Sequence, residues 1–206
     1  MKIIIISDTH GLHNNIDIPD GDILIHGGDI TGRGKLNDVR EFNDFLGSLP
    51  HKHKIVIAGN HDFCIENSKK ESINQLTNCI YLEDSGLELA GIRFWGSPWQ
   101  PWFHDWAFQL KRGNELKMKW DLIPESTDVL ITHGPPHKIL DKTNHNAFAG
   151  CEELSLAVKR IKPKFHIFGH IHEAYGTYSD SDTKYINASI CTADYRPDNQ
   201  PVEINL

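Results

Sequence analysis

Short apolar runs, rich in Ile and Val and cut off abruptly by small or polar residues, dominate the hydrophobic pattern of this chain. Lys2–Ile6, Asp22–Ile25, Lys54–Ile57, Asp128–Ile131 and Lys164–Phe168 carry their apolar residues in succession rather than in alternation. Succession predicts strands buried on both faces, because a strand with one wet face alternates. Between these runs the period lengthens over Leu36–Leu46, Ser68–Leu76, Asn114–Asp121 and Cys151–Arg160, which predict helices. Val39, Phe42, Phe45 and Leu46 fall on one face of the first, and Leu154, Ala157 and Val158, with Ile161 just beyond, on one face of the last. Strands that alternate with helices predict a layered α/β fold.

A second strand-rich zone, Ile80–Trp95, predicts a meander through Ile80–Leu82, Leu87–Leu89 and Ile92–Phe94. Lys184–Asn187 and Val202–Ile204 add two strands near the end of the chain. Two partly mixed sheets with helices outside them account for the whole pattern. No repeat, low-complexity tract or linker interrupts it, so residues 1–206 are read as one domain. Pro98–Arg112 stands apart: Trp99, Trp102, Phe103, Trp106 and Phe108 crowd a short Pro-containing stretch. Such clusters are more often packed core than ligand walls, though Trp99 is kept as a substrate-contact candidate.

Composition narrows the functional classes. A formal net charge of −7 argues against a long nucleic acid or an anionic membrane as partner, since both call for clustered Lys and Arg. It leaves room for a small phosphate ester, because bound divalent metals reverse the local sign of a pocket. The opening Met1–Ile6 is too short for a secretory signal, and no run approaches the roughly 20 apolar residues of a membrane span. Cys64, Cys79, Cys151 and Cys191 show neither a CxxC pair nor disulfide-scaffold density, and are read as reduced, mostly buried thiols of a cytoplasmic protein. Thirteen histidines are many for 206 residues, and histidine is the commonest metal-binding side chain.

The chemistry concentrates where apolar runs end. The first run leads into Asp8-Thr9-His10, the second into Gly27-Gly28-Asp29 and the third into Gly59-Asn60-His61. The fourth leads into His133-Gly134 and the fifth into Gly169-His170-Ile171-His172. In open α/β sheets the loops at the carboxyl ends of strands converge on one crevice. Asp-x-His and His-x-His on extended backbone put alternate side chains on one face, so that both reach one ion. Carboxylate, imidazole and amide oxygen together suit Mn, Fe, Co or Zn better than Ca or Mg. Any one of these motifs alone is an ordinary loop; five in order, each behind a strand, are a metal site.

The ordered set Asp8-Thr9-His10, Gly28-Asp29, Gly59-Asn60-His61-Asp62, His133-Gly134 and Gly169-His170-Ile171-His172 resembles the calcineurin-like metallophosphoesterase superfamily. Within it the chain is most similar to the metallophosphoesterase-domain (MPPED-type) proteins. That closer likeness is carried by Gly47–Pro50, Lys54–His61, Pro98–Phe103, Thr132–Pro136 and Tyr185–Ser189. The resemblance implies a four-layer fold, two facing mixed β-sheets flanked by helices, with two metals about 3.5–4 Å apart. By motif, Asp8, His10, Asp29 and His172 would hold the first ion, and Asp29 would bridge to a second held by Asn60, His133 and His170. His61 would lie near the scissile phosphate without binding metal. Some MPPED-type proteins have Gly in place of His170; this chain carries the full ligand set.

The implied cofactors are two divalent or mixed-valence ions among Mn, Fe, Zn and Co, with Mn and Fe preferred. The implied function is a phosphodiesterase acting on a small diester such as a cyclic nucleotide, through attack of a metal-bridging hydroxide, with His61 protonating the leaving group. A phosphomonoesterase on the same residues is one alternative; a metal-binding interaction scaffold with little activity is another.

Other residues are weaker candidates. Arg33, in the Gly-rich loop after Asp29, and Asp62, beside His61, are read as possible substrate contacts, with Asp62 also placed to orient the His61 imidazole. His26 is read as a core or supporting residue, His13 as a solvent-facing loop residue, and His51 and His53 as a polar turn. His137 and His145 are assigned to a plain loop, His104 and His166 are left without a role, and Asn187 is expected to tie a loop to the sheet.

Overall fold

A computed structural model describes residues 1–206 and stacks two sheets face to face between two layers of helix. The first sheet holds β1 (Lys2–Ile6), β2 (Ile23–His26), β3 (His53–Val56), β4 (Ile80–Tyr81) and β13 (Val202–Asn205), in the order β13-β1-β2-β3-β4. β1 to β4 are parallel, and β13 closes one edge antiparallel to β1. The second holds β5 (Ser85–Leu89), β6 (Ile92–Ser97), β9 (Val129–Thr132), β10 (Phe165–Phe168), β11 (Gly176–Ser179) and β12 (Lys184–Asn187). Its order is β11-β12-β10-β9-β6-β5, with a parallel centre and antiparallel edges. A two-stranded ribbon, β7 (Gln100–Pro101) with β8 (Gln109–Leu110), lies apart from both sheets.

Helices α1 (Leu36–Ser48), α2 (Phe63–Asn67) and α3 (Lys69–Gln75) follow β2 and β3, while α4 (Asn114–Trp120) and α5 (Glu152–Ile161) serve the second sheet. The strands need partners on both faces and find them. Ile3, Ile5, Ile23, Ile25, Ile55 and Ile57 face inward against Phe94, Val129, Ile131, Ile167 and Ile186. The alternate residues Ile4, Ile6, Leu24 and Val56 face outward onto Val39, Phe42, Phe45 and Leu46 of α1. Across the molecule Leu130, Phe168 and Tyr185 meet Leu116 and Trp120 of α4 and Leu154, Ala157, Val158 and Ile161 of α5. Each such aliphatic side chain contributes roughly 1.5–3 kcal/mol of transfer free energy. The four-layer α/β architecture covers both faces of every unbroken apolar run.

Four expectations are corrected. The predicted meander is split: Ile80–Tyr81 pairs with β3 in the first sheet, whereas β5 and β6 form a hairpin in the second. Asp84 makes the crossing, in left-handed backbone at φ 47°, and its carboxylate accepts from Ser97 Oγ, Trp99 Nε1 and Lys119 Nζ. Helix α2, strand β11 and the β7–β8 ribbon are additional to the predicted elements. His13 is not solvent-facing: a short 3₁₀ turn tucks it, 1% exposed, against Phe42 and Phe45. His51 is likewise buried rather than part of a polar turn. The four cysteines are free thiols, and all but Cys79 are buried. No helix is long and apolar enough to cross a membrane.

Candidate metal centre

The carboxyl ends of β1, β2 and β3 meet those of β9 and β10 at one rim, and backbone bonds lace the loops together there. Asp8 donates its N–H to the Gly28 carbonyl at 2.9 Å, His10 to that of Asp29 at 3.0 Å, and Gly169 to that of His133 at 2.9 Å. A bridge between Ser7 and Ser189 joins the two sheets at this point. The loops are tight. Asp8, His10, Asp29 and His170 all lie in left-handed backbone, with φ of 53°, 46°, 55° and 68°. Such conformations cost of order 1–3 kcal/mol each and persist where the surroundings over-determine them, commonly at functional sites. Gly169 is required for another reason: a Cβ there would land on the Asp8 carboxylate and the Ser7 hydroxyl.

Three groups of side chains bring one donor atom each to within 4.8 Å of the others: Asp8, His10 and His172; Asp8, Asp29 and His133; and His10, Asp29 and His61. Asp29 is shared between two groups, as a bridging ligand must be, and Asp8 is shared as well. Asn60 joins through its Oδ1, 3.0 Å from His133 Nε2. His170 falls outside these groups. Its N–H is bonded to both Asp8 oxygens, at 3.1 and 3.0 Å, and its ring centroid lies 5.1 Å from that of His133 and 5.6 Å from that of Phe103. His61 lies closer to the ligands than expected, its ring 4.4 Å from that of His10, with its N–H donating to Asp29 Oδ1 at 2.7 Å.

The hydrogen bonds behind these rings fix which nitrogen faces the crevice. His133 Nδ1 donates to the Gly27 carbonyl at 3.0 Å and His172 Nδ1 to the Thr192 carbonyl at 3.0 Å. A carbonyl only accepts, so each Nδ1 carries a proton and each neutral ring turns its Nε2 lone pair forward. For His172 that nitrogen stands 3.2 Å from His10 Nε2 and 3.4 Å from Asp8 Oδ1. For His133 it stands 3.0 Å from Asn60 Oδ1 and 3.4 Å from Asp29 Oδ2. Each of these contacts needs a shared proton or a metal ion, since an Nε2 lone pair would otherwise face another acceptor. The donor set is thus shaped for metal ions, and its mixture of imidazole, carboxylate and amide oxygen fits divalent transition metals.

The local electrostatics say the same in protons. Burial opposes a charge on His133, yet the Asp29 carboxylate beside it raises its pKa to about 9. His172 is also raised, against burial, by its hydrogen bond to Asp8. Burial likewise opposes ionisation of Asp8, but His172, His133 and His10 hold it well below the usual carboxylate range. Asp29 is lowered too, with His133 the main cause against the same desolvation. By contrast, burial pushes His10 down to about 4 and His170 to about 3, leaving both neutral and free to ligate.

The proposed substrate contacts part company. Arg33 is exposed and lines a cleft of about 500 Å³ with Gly32, Lys35, His61, Trp106 and Tyr195. Asp62 does not orient the His61 imidazole and does not face the crevice. It is fully buried, and its oxygens accept from the N–H groups of Ile30, Thr31 and Gly59 and from Thr31 Oγ1. It ties the loop of Asn60 to that of Asp29, a positioning task. Trp99 is no open wall either: its Nε1 donates to Asp84, its ring packs on two core clusters, and Lys119 lies over it. Trp102 and Phe103 take the exposed places instead, lining a second cleft of about 330 Å³ with Arg112, Thr143, Ala149 and His170.

His26 is a supporting residue, as its sequence position suggested. Gly28 N–H donates to its Nδ1 at 3.3 Å, so its Nε2–H points to Thr9 Oγ1 at 3.0 Å and links the first two ligand loops from behind. Asn187 ties down the last ligand loop through Nδ2 to the Ile171 carbonyl at 2.8 Å. His166 is a buried core residue bonded to Thr132, while His104 and His145 are exposed. Tyr195 is the residue that sequence reasoning missed. Its ring lies 4.8 Å from that of His10 and 5.3 Å from that of His172, and the one available signal was an aromatic in an otherwise polar stretch.

Comparison with known proteins agrees with this geometry. The family model described as calcineurin-like phosphoesterase matches residues 1–174. The chain is 45% identical over 230 residues to human metallophosphoesterase domain-containing protein 1, covering all of this chain and 71% of the human protein. It is 40% identical over 231 residues to UPF0046 protein C25E10.12 of Caenorhabditis elegans, covering all of this chain and 81% of the other. The crystal structure of TT1561 of Thermus thermophilus shares the fold, with a TM-score of 0.62 at 15% identity over 90% of this chain and 88% of that one.

Proposed function

We propose that this chain, which belongs to the calcineurin-like phosphoesterase family, is a two-metal phosphodiesterase acting on small diesters, with cyclic nucleotides the first class to test. The observation that carries the reading is the convergence of donor atoms: Asp8, His10 and His172, and Asp8, Asp29 and His133, each bring one donor to within 4.8 Å of the others, with Asn60 Oδ1 3.0 Å from His133 Nε2. Asp8, His10, Asp29 and His172 would hold one ion; Asn60, His133 and His170, with Asp29 shared, would hold the other, Mn and Fe being preferred. When bound, such a pair neutralises phosphate charge and supplies a nucleophilic water near neutral pH.

The chain's own residues do the rest. His61 donates Nδ1–H to the Gly32 carbonyl at 2.7 Å, which leaves Nε2 free for the departing oxygen. A diester has two groups on phosphorus that need room, and a cleft opens on each flank of the centre: one beside His61 and one beside His170. Arg33 and Lys35, opposed by Asp38, leave the first net cationic; Trp102 and Phe103 give the second an aromatic wall beside Arg112. This pairing favours the diesterase over a monoesterase, whose substrate has one such group. The four free thiols suit a reducing compartment, and we place the activity in the cytoplasm.

The test is hydrolysis of bis(p-nitrophenyl) phosphate against p-nitrophenyl phosphate with Mn added. A Mn-dependent preference for the diester is expected; preference for the monoester would reassign the enzyme as a phosphatase. Asp29→Ala should lose metal and activity together. On diesters with an alkoxide leaving group, His61→Ala should keep its metal and lose about 10²–10⁴-fold in turnover, and normal turnover of those diesters in that variant would remove His61 from the mechanism.

A further inference from the structure

We propose that Tyr195 is a positioning residue for His61, holding the free Nε2 of that imidazole towards the reacting phosphate; the inference rests on the phosphoesterase reading above. Tyr195 lies beyond residues 1–174, the part that matches the family model. Nothing in the five motifs points to it, yet the last part of the chain is stitched to the metal loops. Ile190 donates its N–H to the Ser7 carbonyl at 2.8 Å and Cys191 to that of Asp8 at 3.3 Å. The Thr192 carbonyl then accepts from both His172 Nδ1, at 3.0 Å, and Tyr195 N–H, at 2.8 Å, while Thr192 N–H closes the turn onto Arg196. One carbonyl therefore sets both a metal ligand and Tyr195.

That turn holds Tyr195 in left-handed backbone, φ 57°, an uncommon state for a bulky residue. The conformation does not serve core packing, because Tyr195 remains 49% exposed. It places the ring over three imidazoles, those of His10, His172 and His61, with centroids 4.8, 5.3 and 6.0 Å away. The hydroxyl stands 3.5 Å from His61 Nε2, at the long edge of hydrogen-bond reach. Gly32 fixes the tautomer of His61 from one end, Trp106 packs on its ring at 4.4 Å, and Tyr195 meets the remaining nitrogen. A phenol suits this place in both protonation states of the imidazole. At 3.5 Å it does not capture Nε2–H while that proton is directed at the departing oxygen, and it donates to the bare Nε2 once the proton has left, so the ring is held until the proton returns.

The experiment uses the full chain and Tyr195→Phe. Metal content should be unchanged and KM for bis(p-nitrophenyl) phosphate altered by less than about twofold. Turnover should fall by about tenfold on diesters with an alkoxide leaving group, which depends on protonation by His61, and by much less on p-nitrophenyl esters. In a His61→Ala background the substitution should cost nothing further. A readout independent of catalysis is the ¹⁵N-imidazole spectrum of the metal-free protein. The His61 Nε2 resonance should move in Tyr195→Phe while Nδ1, bonded to Gly32, stays. An unmoved Nε2, or an equal loss in the His61→Ala background, would overturn the proposal. If the wild type turned over no phosphoester, the functional reading would fail, and the spectrum would still decide whether Tyr195 holds His61.

Discussion

Metal binding at this centre should compete with protons, and most of the competition should fall on His133. Its Nδ1–H is tied to Gly27, its Nε2 faces Asn60 and Asp29, and the Asp29 charge raises its pKa to about 9 against the cost of burial. A metal reaching Nε2 must displace that proton. At pH 7 the displacement spans about two pH units, about a hundredfold in apparent affinity. His172, also raised, acts in the same sense, whereas His10 and His170 are already neutral. Apparent Mn affinity should therefore rise about tenfold per pH unit from pH 7 to 9, with about one proton released per site filled. The metal-free fold responds with the opposite sign. A histidine raised from its ordinary 6.5 to about 9 contributes stability below the lower value and loses it as pH climbs through the higher. Calorimetric titration in two buffers of different ionisation enthalpy counts the protons directly. A bound water that ionises would add to the count but would persist in His133→Asn, so the difference between wild type and variant isolates His133. A flat affinity across pH 7 to 9, with no such difference, would refute the electrostatic account of the site.

Two further outcomes follow from packing. Gly169→Ala would force a Cβ into the Asp8 carboxylate, so backbone must move where the first ion would be held. Metal affinity should drop at least about tenfold with a stability loss of roughly 1–3 kcal/mol, and inductively coupled plasma analysis of purified protein would show the loss. On α5, Leu154→Ala empties a position 1% exposed and should cost roughly 2–5 kcal/mol in denaturant unfolding. Leu156→Ala, at a position 67% exposed on the same helix, should stay within about 0.5 kcal/mol; similar values for the two would contradict the assigned face.

The parts of the fold that were legible are those that local pattern decides. An unbroken run such as Ile3–Ile6 must be covered on both sides, so a layered α/β fold follows from the strands, and the family resemblance supplied the second facing sheet. The candidate ligands were legible as a cluster for a related reason: a strand end fixes where the next few residues emerge, and Asp8, Asp29, Asn60, His133 and His170 all emerge there. What failed is what long-range contact decides. His13 looks like loop in Gly11-Leu12-His13-Asn14, and only the approach of Phe42 and Phe45, 29 and 32 residues later in the numbering, makes it core. Leu82 and Leu87 read as neighbours in one meander until Asp84, held by Ser97, Trp99 and Lys119, sends the chain from one sheet to the other. The sharpest case is the pair Asp62 and Tyr195. Asp62 adjoins His61 in sequence and faces away, committed to Ile30, Thr31 and Gly59; Tyr195, 134 positions distant, stands at its nitrogen. Adjacency says little about which side chains share a face: Asp62 turns away from His61 at an ordinary φ of −89°, and the left-handed backbone at Asp8, His10, Asp29 and His170 redirects other neighbours. The groups around this centre therefore have to be read from the folded chain.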